Sequence, residues 1–387
     1  MFKIDRSVSS IIALAIGIVS ITLPITTAFL LSNKKRPPKH IVGPPVSIAA
    51  KDVFTKEELN RIKSSWDDDE PEGKFVKDRH GFTHYVLEGH DGKKKQPLIV
   101  LCHGLGTSLK AYKDMSENLV QAGFSVLRYD YYGHGYSKYG NGKFFNYDKD
   151  MFVDQLDDLM DYIEKEEGLK PEALCGHSTG GIVSVAANHR WHGSERSVVP
   201  KLVLFNPAFY ANKSFVAKLI DCFSKMFPRI LPRLIKYFQF LIGNEYLKAV
   251  DTAFAKDPDT NKYIYPAAHE KKKNRDRILF GKLRGMQAHP FLRPGIFNIN
   301  CNTLRGDLFP GHFDMLNETL NKSPESKILW LWGKLDETVP YADNIKNVIS
   351  LDEKNDNLEV KGLDRIGHES PYEDSKLLSS LTISFLK

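Results

Sequence analysis

The sequence predicts an α/β fold with a mostly parallel sheet, helices on both faces, an inserted helical cap and one N-terminal transmembrane helix. Three observations support this prediction. Apolar runs of strand length alternate with helical patterns from about residue 82 onward, as is typical of a parallel sheet. The alternation stops between residues 209 and 325, a stretch far too long for an ordinary loop. Residues 7–32 carry no charged side chain.

The N-terminal segment predicts a membrane anchor at residues 7–32, because about 20 apolar residues span the hydrocarbon core of a bilayer. Basic residues at 34–36 follow directly, and a proline pair at 37–38 ends any helix. A cleaved signal peptide is the alternative, since small residues at 26–28 loosely fit a cleavage site. We therefore expect a single-pass membrane protein of the endoplasmic reticulum or another endomembrane, with the side of the membrane left open.

The rest of the chain divides into a linker, a catalytic domain in two parts and the cap. We assign residues 33–74 to the linker, 75–208 and 326–387 to the catalytic domain, and 209–325 to the cap. Each predicted strand is a short apolar run, as expected for strands covered on both faces. The predicted helix at residues 148–166 repeats apolar residues at helical spacing, and the one at 55–65 begins with a capping box of Thr55 and Glu58. The predicted strands are residues 97–102, 124–129, 173–176, 201–205, 328–332 and 358–361. The predicted helices are residues 55–65, 108–122, 148–166, 179–189 and 375–386.

Composition narrows the possible partners. With 42% hydrophobic and 26% charged residues, the chain is globular. Residues 210–325 hold 19 lysines and arginines against 11 aspartates and glutamates, whereas the rest of the chain is nearly neutral. This basic excess indicates an anionic partner surface, such as phospholipid headgroups or an acidic substrate. A nucleic-acid partner is disfavoured, because no nucleic-acid motif accompanies the charge.

Four cysteines are too few for a disulfide scaffold. Cys102 and Cys175 lie in apolar runs and are expected to be small buried hydrophobic residues. Cys222 and Cys301 lie in the basic stretch and could pair in an oxidising compartment. Because the sequence has no metal-ligating cluster and no phosphate-binding glycine loop, we expect no cofactor and no metal.

The strongest chemical signal is the pentapeptide at residues 176–180, Gly-His-Ser-Thr-Gly, which fits the pattern G-x-S-x-G. A predicted strand precedes it and a helix of small residues follows. In that context Ser178 lies on a sharp turn that exposes its hydroxyl, and the flanking glycines let strand and helix approach closely. We therefore expect Ser178 to be a nucleophile.

A serine needs a base to remove its proton, and the base needs an acid to orient it. His368 is the one histidine of 13 beyond residue 312, and it follows the last predicted strand. Asp336 follows the preceding strand, where the acid of such a triad is expected, and would fix the imidazole tautomer. Glu337 and Asp364 are weaker alternatives for the acid.

An oxyanion intermediate needs two backbone donors. The first is expected from Thr179, the residue after the nucleophile. The second is expected from the His-Gly-Leu-Gly loop at residues 103–106, and Leu105 is the assigned donor because Gly104 permits the turn. His103 is expected to support this loop by hydrogen bonding and not to act as a base.

Together these residues resemble the α/β-hydrolase superfamily, in its capped branch of serine hydrolases that includes monoglyceride lipases, esterases and carbon–carbon hydrolases. The resemblance spans residues 98–371 and is carried by the segments 103–106, 130–137, 176–181, 332–336 and 367–368. It implies the α/β-hydrolase fold, the Ser-Asp-His triad and the oxyanion hole. Epoxide hydrolases and haloalkane dehalogenases of the superfamily carry an aspartate as nucleophile, so Ser178 argues against both.

The resemblance implies a serine hydrolase of carboxylic esters, acting on a lipid such as monoacylglycerol and so serving lipid metabolism, or on a small-molecule ester. Hydrolysis of amides, thioesters or carbon–carbon bonds with the same triad is one alternative, and acyl transfer to an alcohol is another. A non-catalytic scaffold is disfavoured by the complete triad.

The cap contains a basic amphipathic stretch at residues 215–238, with apolar residues every three or four positions and lysines and arginines between them. One interpretation is that the apolar stripe packs onto the catalytic domain. The other is a lid that contacts a membrane and admits acyl chains. Either way, the partners expected from the sequence are an ester substrate and a membrane, and not nucleic acid.

Overall fold

The computed structural model describes residues 43–56, 73–92, 96–139, 149–192, 198–210, 250–273, 312–323 and 325–387, together with residues 194 and 196. Its strands are β1 Val46–Ile48, β2 Lys74–Lys77, β3 Gly81–Glu88, β4 Leu98–Cys102, β5 Ser125–Tyr129, β6 Lys138–Tyr139, β7 Pro171–His177, β8 Lys201–Phe205, β9 Lys327–Gly333 and β10 Leu358–Leu363. Its α-helices are α1 Ala50–Val53, α2 Lys113–Gln121, α3 Lys149–Glu167, α4 Thr179–Trp191, α5 His312–Lys322, α6 Tyr341–Asp352, α7 Ser370–Glu373 and α8 Ser375–Leu386. Residues 250–253 and 266–273 are also helical.

Within this part of the chain, the ten strands form one sheet in the order β1-β2-β3-β5-β4-β7-β8-β9-β10, with β6 paired to β3. Strands β5, β4, β7, β8, β9 and β10 are mutually parallel, whereas β1, β2 and β3 run antiparallel to their neighbours. The expected α/β-hydrolase architecture of a mostly parallel sheet is therefore confirmed.

Helices cover both faces of the sheet. Alternate residues of β4 point to opposite faces, so Val100 belongs to one core cluster and Ile99 to the other. Helices α3, α4, α5 and α6 contribute to the first cluster, and α2 and α8 to the second. All five residues of β4 are buried, which explains its continuous apolar sequence.

The strand order determines where a site can form. Strands β7, β8, β9 and β10 are consecutive parallel neighbours. Their carboxyl ends therefore meet at one edge of the sheet, which is where open α/β sheets bind ligands. The residues that follow them directly are Ser178, Asn206, Lys334 and Asp364.

The N-terminal part of the sheet was not predicted. Strand β1 lies within residues 33–74, the range assigned to a linker, and it pairs with β2 in an antiparallel register. Val46 is exposed on this edge strand, and three residues are too few for the apolar alternation by which a strand is recognised. The predicted helix at residues 55–65 lies almost wholly outside the described residues.

Little of the predicted cap range is described. Helix α5 falls within residues 209–325, yet it packs on α4, and its Leu316 and Leu320 join the core of the catalytic domain. The amphipathic stretch at residues 215–238 lies outside the described residues, as do Cys222 and Cys301. Cys102 and Cys175 are described, and both are buried free thiols.

The expected single-pass membrane location was wrong and is corrected by the structure. Among the described residues, no helix is long and apolar enough to cross a membrane. The longest of these helices, α3, has 19 residues but carries many charged side chains, which a bilayer core excludes. The segment that prompted the expectation, residues 7–32, lies outside the described residues.

Candidate active site

Ser178 lies on the sharp turn between β7 and α4, with φ 53° and ψ −118°. A non-glycine residue seldom adopts a positive φ, so the surrounding structure must hold it there. The Ser178 amide donates to the Phe205 carbonyl oxygen at 2.9 Å, and the Ser178 carbonyl accepts from Ala208 at 3.1 Å. A Cβ atom at Gly180 would collide with the Cys102 carbonyl, so only glycine allows α4 to start this close to β4. The turn is the arrangement predicted from the pentapeptide.

His368 lies between Ser178 and Asp336. Its Nε2 atom is 3.0 Å from the Ser178 Oγ, and its Nδ1 atom is 2.8 Å from the Asp336 Oδ2. Because a carboxylate only accepts, Nδ1 carries the proton and Nε2 is left to accept from the serine hydroxyl. Burial opposes a charge on the imidazole, but the Asp336 carboxylate outweighs it and raises the pKa of His368.

Asp336 is fully buried in a turn that satisfies both of its oxygens. Oδ1 accepts from the backbone amides of Thr338 and Val339, each at 2.8 Å, while Oδ2 accepts from His368. The two alternative acids are elsewhere: Glu337 is exposed, and Asp364 is exposed and paired with a lysine. The structure therefore brings together the three residues selected as nucleophile, base and acid.

The loop at residues 103–106 lies against the serine turn. A Cβ atom at Gly104 would be 3.2 Å from the Ser178 Cβ atom. Two buried histidines hold this loop: Nε2 of His103 accepts from the Tyr131 amide at 3.0 Å, and Nε2 of His134 accepts from the Gly106 amide at 3.1 Å. As expected, His103 has a supporting role. The assignment of the Leu105 and Thr179 amides as oxyanion donors stays a prediction.

A further group of buried hydrogen bonds is centred on Asp130, the residue that follows β5. Asp130 accepts from the amides of Leu109 at 2.8 Å and Tyr136 at 2.9 Å, and its Oδ2 is 2.8 Å from the His84 Nδ1. A Cβ atom at Gly135 would collide with this carboxylate, which explains the glycine there. Burial by itself would raise the pKa of Asp130, but the hydrogen bond and charge of His84 lower it below its usual value.

Sequence reasoning missed Asn206, the residue that follows β8. Its side-chain amide donates to the Asp336 Oδ2 at 2.8 Å and to the Gly367 carbonyl at 3.0 Å. It thereby joins the acid to the main chain that carries the base. Its φ of 44° is set by the tertiary structure, so the sequence carried no signal for this role.

His177 was missed as well, although it belongs to the pentapeptide. Its Nε2 atom donates to the His368 carbonyl oxygen at 2.7 Å. Burial, together with the nearby His368, lowers the pKa of His177 to about 4, so it is neutral at physiological pH. It therefore holds the backbone of the base without adding charge to the site.

Parts of the chain are similar to known proteins. Residues 93–279 match a family model described as serine aminopeptidase, S33. Over 127 residues the chain is 30% identical to the monoglyceride lipase of Rattus norvegicus, a match covering 32% of this chain and 41% of the rat protein. The chain therefore spans less than half the length of this curated relative.

Two solved esterases have a similar fold. An esterase from Exiguobacterium antarcticum superposes with a TM-score of 0.53 at 15% identity, over 81% of this chain and 99% of that chain. A thermophilic esterase from Thermogutta terrifontis superposes with a TM-score of 0.56 at 16% identity, over 89% of this chain and 98% of that chain. Identities this low speak for the fold alone.

Proposed function

Since the chain is a member of the α/β-hydrolase superfamily, we propose that it is a serine hydrolase that cleaves carboxylic esters through an acyl-enzyme. The observation that carries the proposal is the 3.0 Å approach of His368 Nε2 to the Ser178 hydroxyl, with Asp336 on the other side of the ring. Nothing in a purely structural role requires this alignment of nucleophile, base and acid.

In the first half of the reaction, Ser178 Oγ attacks the carbonyl carbon of the ester while His368 Nε2 takes the hydroxyl proton. The backbone amides of Leu105 and Thr179 bind the resulting oxyanion, and loss of one such donor typically costs about 3 kcal/mol in the transition state. The imidazolium then protonates the departing alcohol. In the second half, His368 activates a water molecule, which releases the carboxylic acid and restores Ser178.

For the substrate we propose a lipid acyl ester such as a monoacylglycerol. The support is the 30% identity to the rat monoglyceride lipase. Cleavage of an amide bond with the same residues is the second candidate, because the matching family model is described as an aminopeptidase. Both reactions pass through the same tetrahedral intermediate, so the triad serves either one.

The test is hydrolysis of an ester series, from short acyl chains to long-chain monoacylglycerols, by the full chain and its Ser178→Ala variant. We expect activity to rise with acyl length and to be lost in the variant. Ser184→Ala is the matched control, because Ser184 is a buried serine of α4 whose hydroxyl donates to the Gly180 carbonyl. Hydrolysis of amino-acid anilides without hydrolysis of esters would favour the second candidate. Equal activity of Ser178→Ala and wild type would overturn both.

A further inference from the structure

A second buried carboxyl group lies beside the base and takes no part in the proposed reaction. Glu373, in the short helix α7, is 6% exposed. Its Oε2 atom accepts from the Gly367 amide at 2.6 Å, and its Oε1 atom accepts from the Ala255 amide at 2.5 Å. One carboxyl group therefore joins the residue before His368 to a chain segment more than 100 residues away in sequence.

That segment also holds His368 directly. The Ala253 carbonyl oxygen accepts from the His368 amide at 2.7 Å and from the Glu369 amide at 3.3 Å. With the Ala255 amide bound to Glu373, residues 253–255 contribute a carbonyl and an amide to the loop that carries the base. The main chain of His368 is thus fixed from a part of the chain that lies in the predicted cap range.

The contact between Gly367 and residues 253–255 leaves no space for a side chain at position 367. A Cβ atom at Gly367 would lie 2.6 Å from the Ala255 nitrogen, 2.8 Å from the Ala253 oxygen and 2.9 Å from the Glu373 Oε1. All three distances are shorter than real Cβ atoms show. Glycine at 367 therefore allows the base loop and the segment at 253–255 to touch along their backbones.

The two hydrogen bonds from backbone amides suit a carboxylate better than a neutral side chain. A carboxylate accepts with both oxygens. Protonation turns one oxygen into a hydroxyl, which is a weaker acceptor, and a glutamine replaces one oxygen by an NH2 group that only donates. Burial acts in the other direction and, with the charges of Glu369 and Asp336 nearby, raises the pKa of Glu373 to about 8. Lys272 pairs with Glu369 at 3.5 Å, and His368 and Tyr265 are further titrating groups beside Glu373.

We propose that Glu373 is a positioning residue: by joining the Gly367 and Ala255 amides, it holds the loop of His368 at the distance from which the imidazole activates Ser178. The proposal rests on the proposed function for its catalytic meaning. Small displacements of a catalytic group are costly, since a shift of about 1 Å lowers rates by about a hundredfold.

The test measures how fast Ser178 of the full chain is phosphonylated by a fluorophosphonate, a reagent that needs an activated serine and no particular substrate. We expect Glu373→Gln to slow labelling by about ten- to a hundredfold. In wild type the labelling rate should also rise with pH through about 8, as Glu373 loses its proton. In Glu373→Gln the rise that remains is that of His368. It should lie at lower pH, because the charge of Glu373 no longer raises the pKa of the imidazole, and mere loss of stability does not produce such a shift.

Asp78→Asn is the matched control. Asp78 is an equally buried carboxyl that accepts from the Gly81 amide, Thr83 and Tyr132, and burial likewise raises its pKa. Its loss should lower the melting temperature without slowing the labelling of folded protein. If Glu373→Gln labels at the wild-type rate and loses only stability, as the control does, the positioning role is overturned.

Glu373→Asp covers the case in which the glutamine variant does not fold. It keeps the charge but is too short to reach both amides, so labelling slower than wild type is expected, and an unchanged rate would overturn the proposal. Ester hydrolysis is measured separately on wild type. A wild type that labels but hydrolyses no ester overturns the proposed function and leaves the positioning role standing.

Discussion

The side-chain amide of Asn206 lies 2.8 Å from the Oδ2 atom of Asp336, the same oxygen that accepts from the imidazole of the base. The amide also reaches the Gly367 carbonyl at 3.0 Å. Asn206 thus orients the acid and ties it to the base loop. A hydrogen bond to a charged partner is worth about 1.5–3 kcal/mol, which makes this contact measurable in kinetics.

We expect Asn206→Ala to lower kcat/KM by about ten- to a hundredfold with little change in KM, because the acid loses one of its donors. Asn206→Gly is the matched variant: it removes the same amide but accepts a φ of 44° without strain. Both variants should lose activity alike, while Ala loses about 1 kcal/mol more stability. Wild-type kinetics in both variants would contradict the role.

Asp336→Asn tests the acid. The amide keeps the shape of the side chain but favours the wrong imidazole tautomer, so kcat should fall by about 10⁴-fold. Asp364→Asn is the control, because this carboxylate is exposed and paired with Lys334 at 2.6 Å. The comparison is made by steady-state kinetics on folded protein. A larger loss of kcat in Asp364→Asn than in Asp336→Asn would assign the role of the acid to Asp364.

The pH profile of kcat/KM tests the environment of the base. His368 must be neutral to accept the serine proton, and Asp336 raises the pKa of its imidazole above 6.5. Activity should therefore fall with decreasing pH along a limb centred above 6.5. In Asp336→Asn the residual activity should follow a limb at lower pH, since the raising charge is gone. A wild-type limb centred below 6.5 would contradict this account.

Asp130→Asn tests the buried pair of Asp130 and His84. Because the pKa of Asp130 is held below its usual 3.8 in the folded state, its stabilising contribution is complete above about pH 4 and is lost as pH falls further. Breaking the pair with His84 should cost about 3–5 kcal/mol at neutral pH, measured by urea unfolding. The difference from wild type should shrink as the pH falls below 3.8. A pH-independent difference would show that the carboxylate charge is not involved.

Much of the fold could be predicted because its signals are local. Strand β8 runs over Lys201–Phe205 and helix α8 over Ser375–Leu386, as their apolar patterns predict. The turn around Ser178 could be predicted because the two glycines of the pentapeptide allow strand and helix to approach closely. The edge strand β1 was not predicted, since pairing with β2 and not its own sequence makes it a strand. The membrane location was expected from the composition near the N-terminus. It was wrong, because no helix among the described residues is long and apolar enough to cross a membrane.

By itself, the sequence determined the alternation of strands and helices and the order of Ser178, Asp336 and His368, because periodicity and turn chemistry act over a few residues. Only the tertiary structure decided which side chains hold these three in place. Asn206 and Glu373 reach their partners across 130 and 118 residues of chain. Such contacts arise from the register of neighbouring parallel strands and from the loops that follow them, and neither leaves a mark in local sequence.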